Sequence, residues 1–363
     1  MKVLISGAGI AGATAAALLG RIGHRVTVVE RDQGVRSSGN PVDVRGRAYD
    51  VARRLGLVSQ LREASTHVRE LAIVNSVGRR VAGLATQKTP GRELEVPRTD
   101  LCSILIDAAR DDVDFRFDDV ITGLESGTHG VDATFDRAPG ESFDLVIGAD
   151  GLHSNVRRMA YGPDRDYIRH LGMYIATVRM AGPPERSDAV LMYNEPGTAI
   201  ALHPGTGNPV AALMFRSRAR VDPRDKPAAA SLLEQRYASG GWRTAEVLAA
   251  FRGADDTYFD AISRVRVPRW SRGRTTLLGD AASCVSLFGD GSSSAMSGAM
   301  TLAEALDDSP RDVTAALGRY ERVQRVRADR GQRAATPASH VLIPASRTGI
   351  TLRNAVLGVA GRR

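Results

Sequence analysis

Three glycines within the first twelve residues constrain this chain more than any other feature. The segment MKVLISGAGIAGATAAALLGRIGHRVTVVERD sets a short β-branched run, Val3 to Ser6, before the spacing Gly7-x-Gly9-x-x-Gly12, and an Ala/Leu-rich helical pattern after it. A second β-rich run, Arg25 to Glu30, ends on an acid. The pattern is a strand-turn-helix-strand unit with a glycine fingerprint at its first junction. In such a unit Gly7 permits the tight turn, Gly9 lets backbone approach a pyrophosphate, and Gly12 lets the helix pack closely on the strand. The helix start, with Ala11 in its first turn, presents unsatisfied N–H groups and a positive dipole end to phosphates. Glu30 can accept hydrogen bonds from the hydroxyls of an unphosphorylated adenosine ribose, as in NAD or FAD; the motif leaves those two open.

A competing reading exists for the same residues. Val3 to Leu19 carries no charge and follows Lys2, as a secretory signal or a membrane span would. Its glycines fall in the first half, where an apolar secretory region favours Leu, so the nucleotide turn explains the segment better.

At 363 residues the chain is too long for one small core and suits one large or two interleaved domains. Its 43% hydrophobic and 25% charged content is that of a globular domain, which excludes a disordered or fibrous chain. Only Lys2, Lys88 and Lys226 are lysines, so the net charge of +8 comes from arginine. No zinc-finger spacing, aromatic RNA-binding stretch or basic tail accompanies that charge, and no nucleic-acid partner is expected. Two cysteines, Cys102 and Cys284, build no disulfide framework, which suits a cytoplasmic protein. The seven histidines show no HExxH-type spacing, so no metal is expected. Gly205-Thr-Gly207 lacks a strand-helix context, which leaves one nucleotide fold in the chain.

Two later segments end apolar runs in turns. FDLVIGADGLHSNVRR, Phe143 to Arg158, runs into Asp150-Gly151, with Ser154 placed to cap a following helix. LLGDAASCVSLFGDGSSSAM, Leu277 to Met296, holds Gly279-Asp280 and Gly289-Asp290 around a thiol. By residue type alone the pair admits a metal site, paired catalytic carboxylates, or turns that grip a cofactor.

Together with the N-terminal glycines, these segments resemble the three fingerprints of the single-component FAD-dependent monooxygenases of the p-hydroxybenzoate hydroxylase type (group A flavoprotein hydroxylases). The similarity extends over nearly the whole chain, through Gly39 to Leu57, Val96 to Leu101 and Val341 to Gly358, and among these proteins the chain is similar to the actinobacterial and tetracycline-inactivating members. The resemblance implies that Gly7, Gly9 and Gly12 hold the FAD pyrophosphate, Glu30 and Arg31 its ribose, and that Arg98 lies against the cofactor. It also implies that Asp150 serves FAD and NADPH interactions and that Asp280 binds the ribityl chain. Backbone at Gly289, Gly291 and Ser292, entering a helix, would face the flavin and stabilise negative charge on it. The segment departs from many relatives: Ser283 replaces a His, no proline follows, and Gly289-Asp290-Gly291 stands for Gly-Gln-Gly in a loop about one residue shorter. The Asp290 side chain is expected to point away from the flavin.

The implied fold class is α/β: a Rossmann-like FAD-binding domain interleaved with a substrate domain on an antiparallel sheet, plus a C-terminal helix. The expected FAD-binding domain comprises residues 1–68, 96–160 and 262–335, and the substrate domain 69–95 and 161–261. Residues 336–363 are expected as a bracing helix. MYIATVRMAG, AVLMYN, TAIALHP and PVAALMFRSR fit the meander of such a sheet. Alternate residues there face the flavin, which makes Met192, His203, Met214 and Arg216 candidate substrate contacts, with a plain core role equally open to the methionines. Arg45 and Arg47 read as surface charges, and ALGRYERVQRVRADRGQRAATP as an amphipathic helix with a solvated face. The implied reaction is hydroxylation of an aromatic or polyketide-like small molecule. NAD(P)H reduces FAD, O2 adds at flavin C4a, and the hydroperoxide's distal oxygen is transferred. No side chain is expected to act as catalyst, and Cys284 reads as a buried small hydrophobe. Alternatives on the same fold are a flavin-dependent reductase or dehydrogenase and an FAD-bearing binding protein. No membrane partner is expected, and a monomer or homodimer is.

Overall fold

The computed structural model describes residues 1–35, 40–85, 92–127, 130–284 and 290–360. The glycine unit folds as read: β1 (Lys2–Ser6), α1 (Ile10–Arg21) and β2 (Arg25–Glu30). β1 pairs in parallel with β2 on one side and with the strand Leu145–Gly148 on the other. Beyond these the strands Val113–Phe117 and Thr275–Leu277 extend the parallel sheet, and Ser271–Arg272 adds an antiparallel edge. Chain order reverses at β1, so a crevice opens beyond the carboxyl ends of β1 and Leu145–Gly148, where doubly wound sheets hold ligands.

Parallel strands are covered on both faces, and the apolar runs reflect that. Val3, Leu4, Ile5, Leu145, Val146 and Ile147 are all fully buried, each contributing about 1.5–3 kcal/mol against exposure. α1 is apolar all round for the same reason. Its Ala13, Ala15, Ala16 and Ala17 are buried between the sheet and the helices Arg98–Asp107 and Asp290–Asp308, where only small side chains allow so close a fit.

The second large sheet has seven strands, in the order Thr257–Val265, Ile168–Arg179, Val210–Arg216, Thr198–His203, Ala189–Glu195, Glu70–Val74 and Arg80–Ala85. All neighbours are antiparallel except Ala189–Glu195 with Glu70–Val74. Strict alternation divides it into two faces. Tyr174, Leu191, Leu213 and Phe215 point to helices Lys226–Arg236 and Thr244–Gly253, while Met173, Met192, Ala201 and Met214 point the other way. Thr257–Val265 is one continuous strand through the expected 261/262 boundary.

Helix Val313–Leu342 packs on Asp290–Asp308 and runs through Pro337, although proline is expected to end a helix. Side chains of the seven-stranded sheet hold the carbonyls at its C-terminal end. Arg216 donates to Ser339 O (3.1 Å) and Ile343 O (2.9 Å), and Asn194 to Leu342 O (2.9 Å). Arg353 donates to Val341 O (3.2 Å) and ties back to Asn194 Oδ1 (2.7 Å). The last helix, Arg347–Ala360, lies on Arg80–Ala85 at the sheet's edge. The reach from one sheet to the other is therefore made by Val313–Leu342.

Candidate active site

The β1–α1 turn explains each glycine by what a Cβ would meet. Gly7 adopts φ +100°, donates its N–H to Val29 O (2.8 Å), and would set a Cβ 2.8 Å from Ala149 O. A Cβ on Gly12 would lie 1.9 Å from Gly7 O. Gly9 differs: it is exposed, a Cβ there would meet nothing within 4 Å, and as N-cap it supplies no side-chain partner to the first turn of α1. Those first-turn N–H groups have no intrahelical acceptor and face open space, a fit for a pyrophosphate. Glu30 accepts from Ala8 N (2.8 Å) and Asp32 N (3.1 Å), which fixes its carboxylate beside the turn with lone pairs to spare. Arg31 is exposed next to it.

The Asp150 loop is the second wall. Its carboxylate accepts from Ser6 Oγ (3.2 Å), Asn155 N (2.8 Å), Val156 N (3.0 Å) and Ser154 Oγ. These bonds lock Asp150 between β1 and helix Asn155–Tyr161. Ser154 caps that helix as expected, accepting from Arg157 N (3.0 Å). Arg157, wholly buried, donates to Leu152 O (2.6 Å), Asp164 Oδ1 (2.6 Å) and, 124 residues away, Ala281 O (3.0 Å).

That last bond anchors the third wall, the Gly279–Ala281 turn. Gly279 adopts φ +62°, and a Cβ on it would come 2.8 Å from the Cβ of Ala11, so this turn lies against the first turn of α1. Asp280 is half-buried. Burial pushes its carboxyl pKa up, opposed by the charge of Arg98 and a hydrogen bond from Cys284. Arg98 opens its helix after Pro97 and is exposed. A carboxylate disfavoured by burial suits a polyol chain, whose hydroxyls would donate to it. Cys102 and Cys284 are buried free thiols. Gly291 and the buried Ser292 stand at the start of Asp290–Asp308, where Ser293 Oγ donates to Asp43 O (2.7 Å) and accepts from Arg45 N (3.2 Å). Gly289 and the Asp290 side chain lie outside the described residues. Arg45 and Arg47 pair with Glu93 (3.7 Å) and Glu304 (2.9 Å), in keeping with surface charges.

The four substrate candidates share one face of the seven-stranded sheet, by the registers Met192↔Ala201, Ala199↔Met214 and Met173↔Arg216. That face looks toward the crevice, because two of its side chains reach elements of the first wall system. His203 lies 3.3 Å from Glu95 Oε1, in the strand Glu93–Val96, and Asp260 lies 3.1 Å from His153 Nε2, in the Asp150 loop. His203 Nδ1 accepts from Gly205 N (3.0 Å), so a neutral ring carries its proton on Nε2, toward Glu95. Met192 and Met214 are buried in the sheet's own apolar cluster with Ile343. Arg216 is corrected: its guanidinium, desolvated and bonded to the carbonyls of Ser339 and Ile343, clamps a helix end.

Sequence reasoning missed His153, Arg157, Tyr258 and Asp260. The last two carried a signal, since alternation along TYFDAISRV assigns Tyr258, Asp260 and Ile262 to the crevice face. Among the described residues no group of His, Cys, Asp and Glu could hold a metal ion, and no helix is long and apolar enough to cross a membrane.

The FAD binding domain family model matches residues 1–335, and the chain belongs to that family. It is 38% identical over 328 residues, 88% of each chain, to the uncharacterized protein Rv1260 of Mycobacterium tuberculosis. It is 32% identical over 340 residues to a flavin-dependent monooxygenase of Legionella longbeachae, covering 92% of this chain and 87% of the other. The crystal structure of tetracycline destructase Tet(55) superimposes with a TM-score of 0.86 at 29% identity, over 98% of this chain and 94% of that one. The chain is thus an FAD-dependent monooxygenase.

Proposed function

We propose that this member of the FAD-binding family hydroxylates an aromatic or polyketide-like small molecule in the cytoplasm, with NAD(P)H as transient reductant and O2 as oxidant. The observation that carries the reading is the meeting of three turns, Gly7–Gly12, the Asp150 loop and Gly279–Ala281, with a second sheet tied to the Asp150 loop through Asp260 and His153. Likeness to a tetracycline destructase supports a polycyclic, oxygen-bearing substrate.

FAD supplies the redox and oxygen-transfer chemistry, and the protein supplies position and electrostatics. In this assignment the N–H groups of Gly9 to Gly12 bind the pyrophosphate and the α1 dipole favours its charge. Glu30 accepts ribose hydroxyls with Arg31 alongside, Asp280 accepts from the ribityl chain, and Arg98 balances the carboxylate's charge. The first turn of Asp290–Asp308, with Gly291 and Ser292, offers N–H groups to negative charge on the ring edge. Met192, Met214 and His203 belong to the substrate wall. The functional division runs between residues 1–68, 96–160 and 262–335 on the cofactor side and 69–95 and 161–261 on the substrate side, with 336–363 bracing.

The test is direct. Purified protein should be yellow or take up FAD, and NAD(P)H and O2 consumption should rise with one member of a phenolic and polyketide panel, giving product with one atom from 18-O2. Uptake of O2 that never yields labelled product would leave a reductase or dehydrogenase, and a protein that cannot be reconstituted with FAD would refute the assignment.

A further inference from the structure

One aromatic side chain on the crevice face stands apart from its row. Register places Tyr258, Thr177, Ala212, Ala201, Met192 and Ile73 side by side across the seven-stranded sheet, all on that face. Thr177, Ala212, Ala201, Met192 and Ile73 are buried, while Tyr258, on the outermost strand, keeps 43% of its surface exposed. No hydrophobic cluster among the described residues includes it, and none of the ring pairs involves it.

An aromatic that merely covers a sheet edge on a convex surface should titrate as in water. Tyr258 does not: surrounding protein desolvates its phenol and raises its pKa, with the negative charge of Asp260 and Asp280 adding to the rise and Arg98 opposing it. Solvent-exposed surface together with strong desolvation describes a group inside a recess. Geometry identifies the recess: Asp260, two residues along on the same face, lies 3.1 Å from His153 Nε2 in the Asp150 loop, and the charges of Arg98 and Asp280 in the cofactor walls reach the phenol. An unpacked aromatic face there leaves apolar area that a second ring would cover, in the offset or edge-to-face geometry that aromatic pairs favour.

We propose that Tyr258 packs its ring against the isoalloxazine of bound FAD and forms the sheet-side wall of the reaction chamber. The inference rests on the FAD assignment above. A phenol held protonated adds no charge beside the flavin, yet it remains a good one-electron donor to a photoexcited flavin. One electron passes to the excited ring and returns on recombination, so emission is quenched. Phenylalanine keeps the shape and cannot donate; tryptophan donates readily.

Flavin emission lifetimes of the FAD-loaded wild type, Tyr258→Phe and Tyr258→Trp, compared at equal cofactor occupancy by absorbance, test the contact. The wild type and the Trp variant should be strongly quenched, and the Phe variant several-fold brighter and longer-lived, with FAD retained. A Phe variant as dark as the wild type at full occupancy overturns the proposal while leaving the FAD assignment intact. Failure of the wild type to bind FAD at all overturns the assignment instead. Should Tyr258→Phe not fold, Tyr258→Leu against Tyr258→Trp gives the same contrast.

Discussion

Replacing Arg157 by Met should loosen the cofactor crevice from beneath. Methionine keeps much of the buried stem but removes all the donors. Arg157 is fully buried and donates to Leu152 O (2.6 Å), Ala281 O (3.0 Å) and Asp164 Oδ1 (2.6 Å). Two interior carbonyls would lose a donor, at about 1–3 kcal/mol each. The carboxylate loses less, because Asp164 is 27% exposed and Arg158 still reaches its other oxygen at 3.2 Å. Relief from desolvating a buried cation offsets part of the loss. The balance is about 3 kcal/mol of destabilisation. For 363 residues the unfolding entropy is about 0.8 kcal/mol/K, so the apoprotein Tm should fall by about 4 °C. FAD retention should fall as well, because Ala281 adjoins Asp280. Calorimetry of apoprotein, with flavin retained after desalting, checks both effects. A Tm within 1 °C of wild type, roughly the resolution of such a comparison, with unchanged flavin content, would refute the role given to Arg157.

Asp280→Asn should move stability and cofactor binding in opposite directions. Burial raises the native Asp280 carboxyl above its ordinary range, so the native apoprotein holds that proton more tightly than the unfolded chain. Stability from this group is present at low pH and lost as pH rises through the folded pKa. The Asn apoprotein should therefore equal wild type in the acid range and exceed it at neutral pH, while flavin retention falls; denaturation midpoints across pH and desalting read the two. Gly12→Ala should give insoluble or colourless protein, since its Cβ would lie 1.9 Å from Gly7 O; a soluble variant with wild-type flavin content would contradict that packing. Arg216→Met should release the end of helix Val313–Leu342, which faster hydrogen exchange or limited proteolysis near Ser339 to Ile343 would register, without loss of FAD.

The parts of this molecule legible in its sequence are those fixed by neighbours in the chain. Gly7, Gly9 and Gly12 act through one turn, so their spacing carries the turn with it. Alternation along AVLMYN, TAIALHP and PVAALMFRSR likewise assigns Met192, His203, Met214 and Arg216 to one face, because side chains along a strand alternate whatever lies opposite. What covers that face is another matter. Arg216 finds its acceptors 123 and 127 residues away, and no local pattern records them. Asp150 shows a second kind of gap: a motif names the residue, while the four donors around its carboxylate come from a strand 144 residues earlier and a helix start.

Those distant contacts also explain why three short motifs, far apart in the chain, behave as one site. The absent Cβ of Gly7 makes room for Ala149, that of Gly279 for Ala11, and that of Gly12 for Gly7 itself. Gly7 and Gly279 are thus vacancies filled by another wall and Gly12 one filled within its own turn, and Ser6 with Arg157 ties the walls by hydrogen bonds. Walls interlocked this way cannot shift singly, so the geometry offered to a pyrophosphate and a ribityl chain is set before either arrives. Preorganisation of that kind lowers the entropy cost of ordering the site on binding. It also limits where specificity can vary: the cofactor walls are mutually fixed, whereas the facing sheet presents side chains such as Met192 and Met214 that change without removing a hydrogen bond to the backbone. Substrate choice in this chain should accordingly be sought on the sheet, and cofactor retention in the turns.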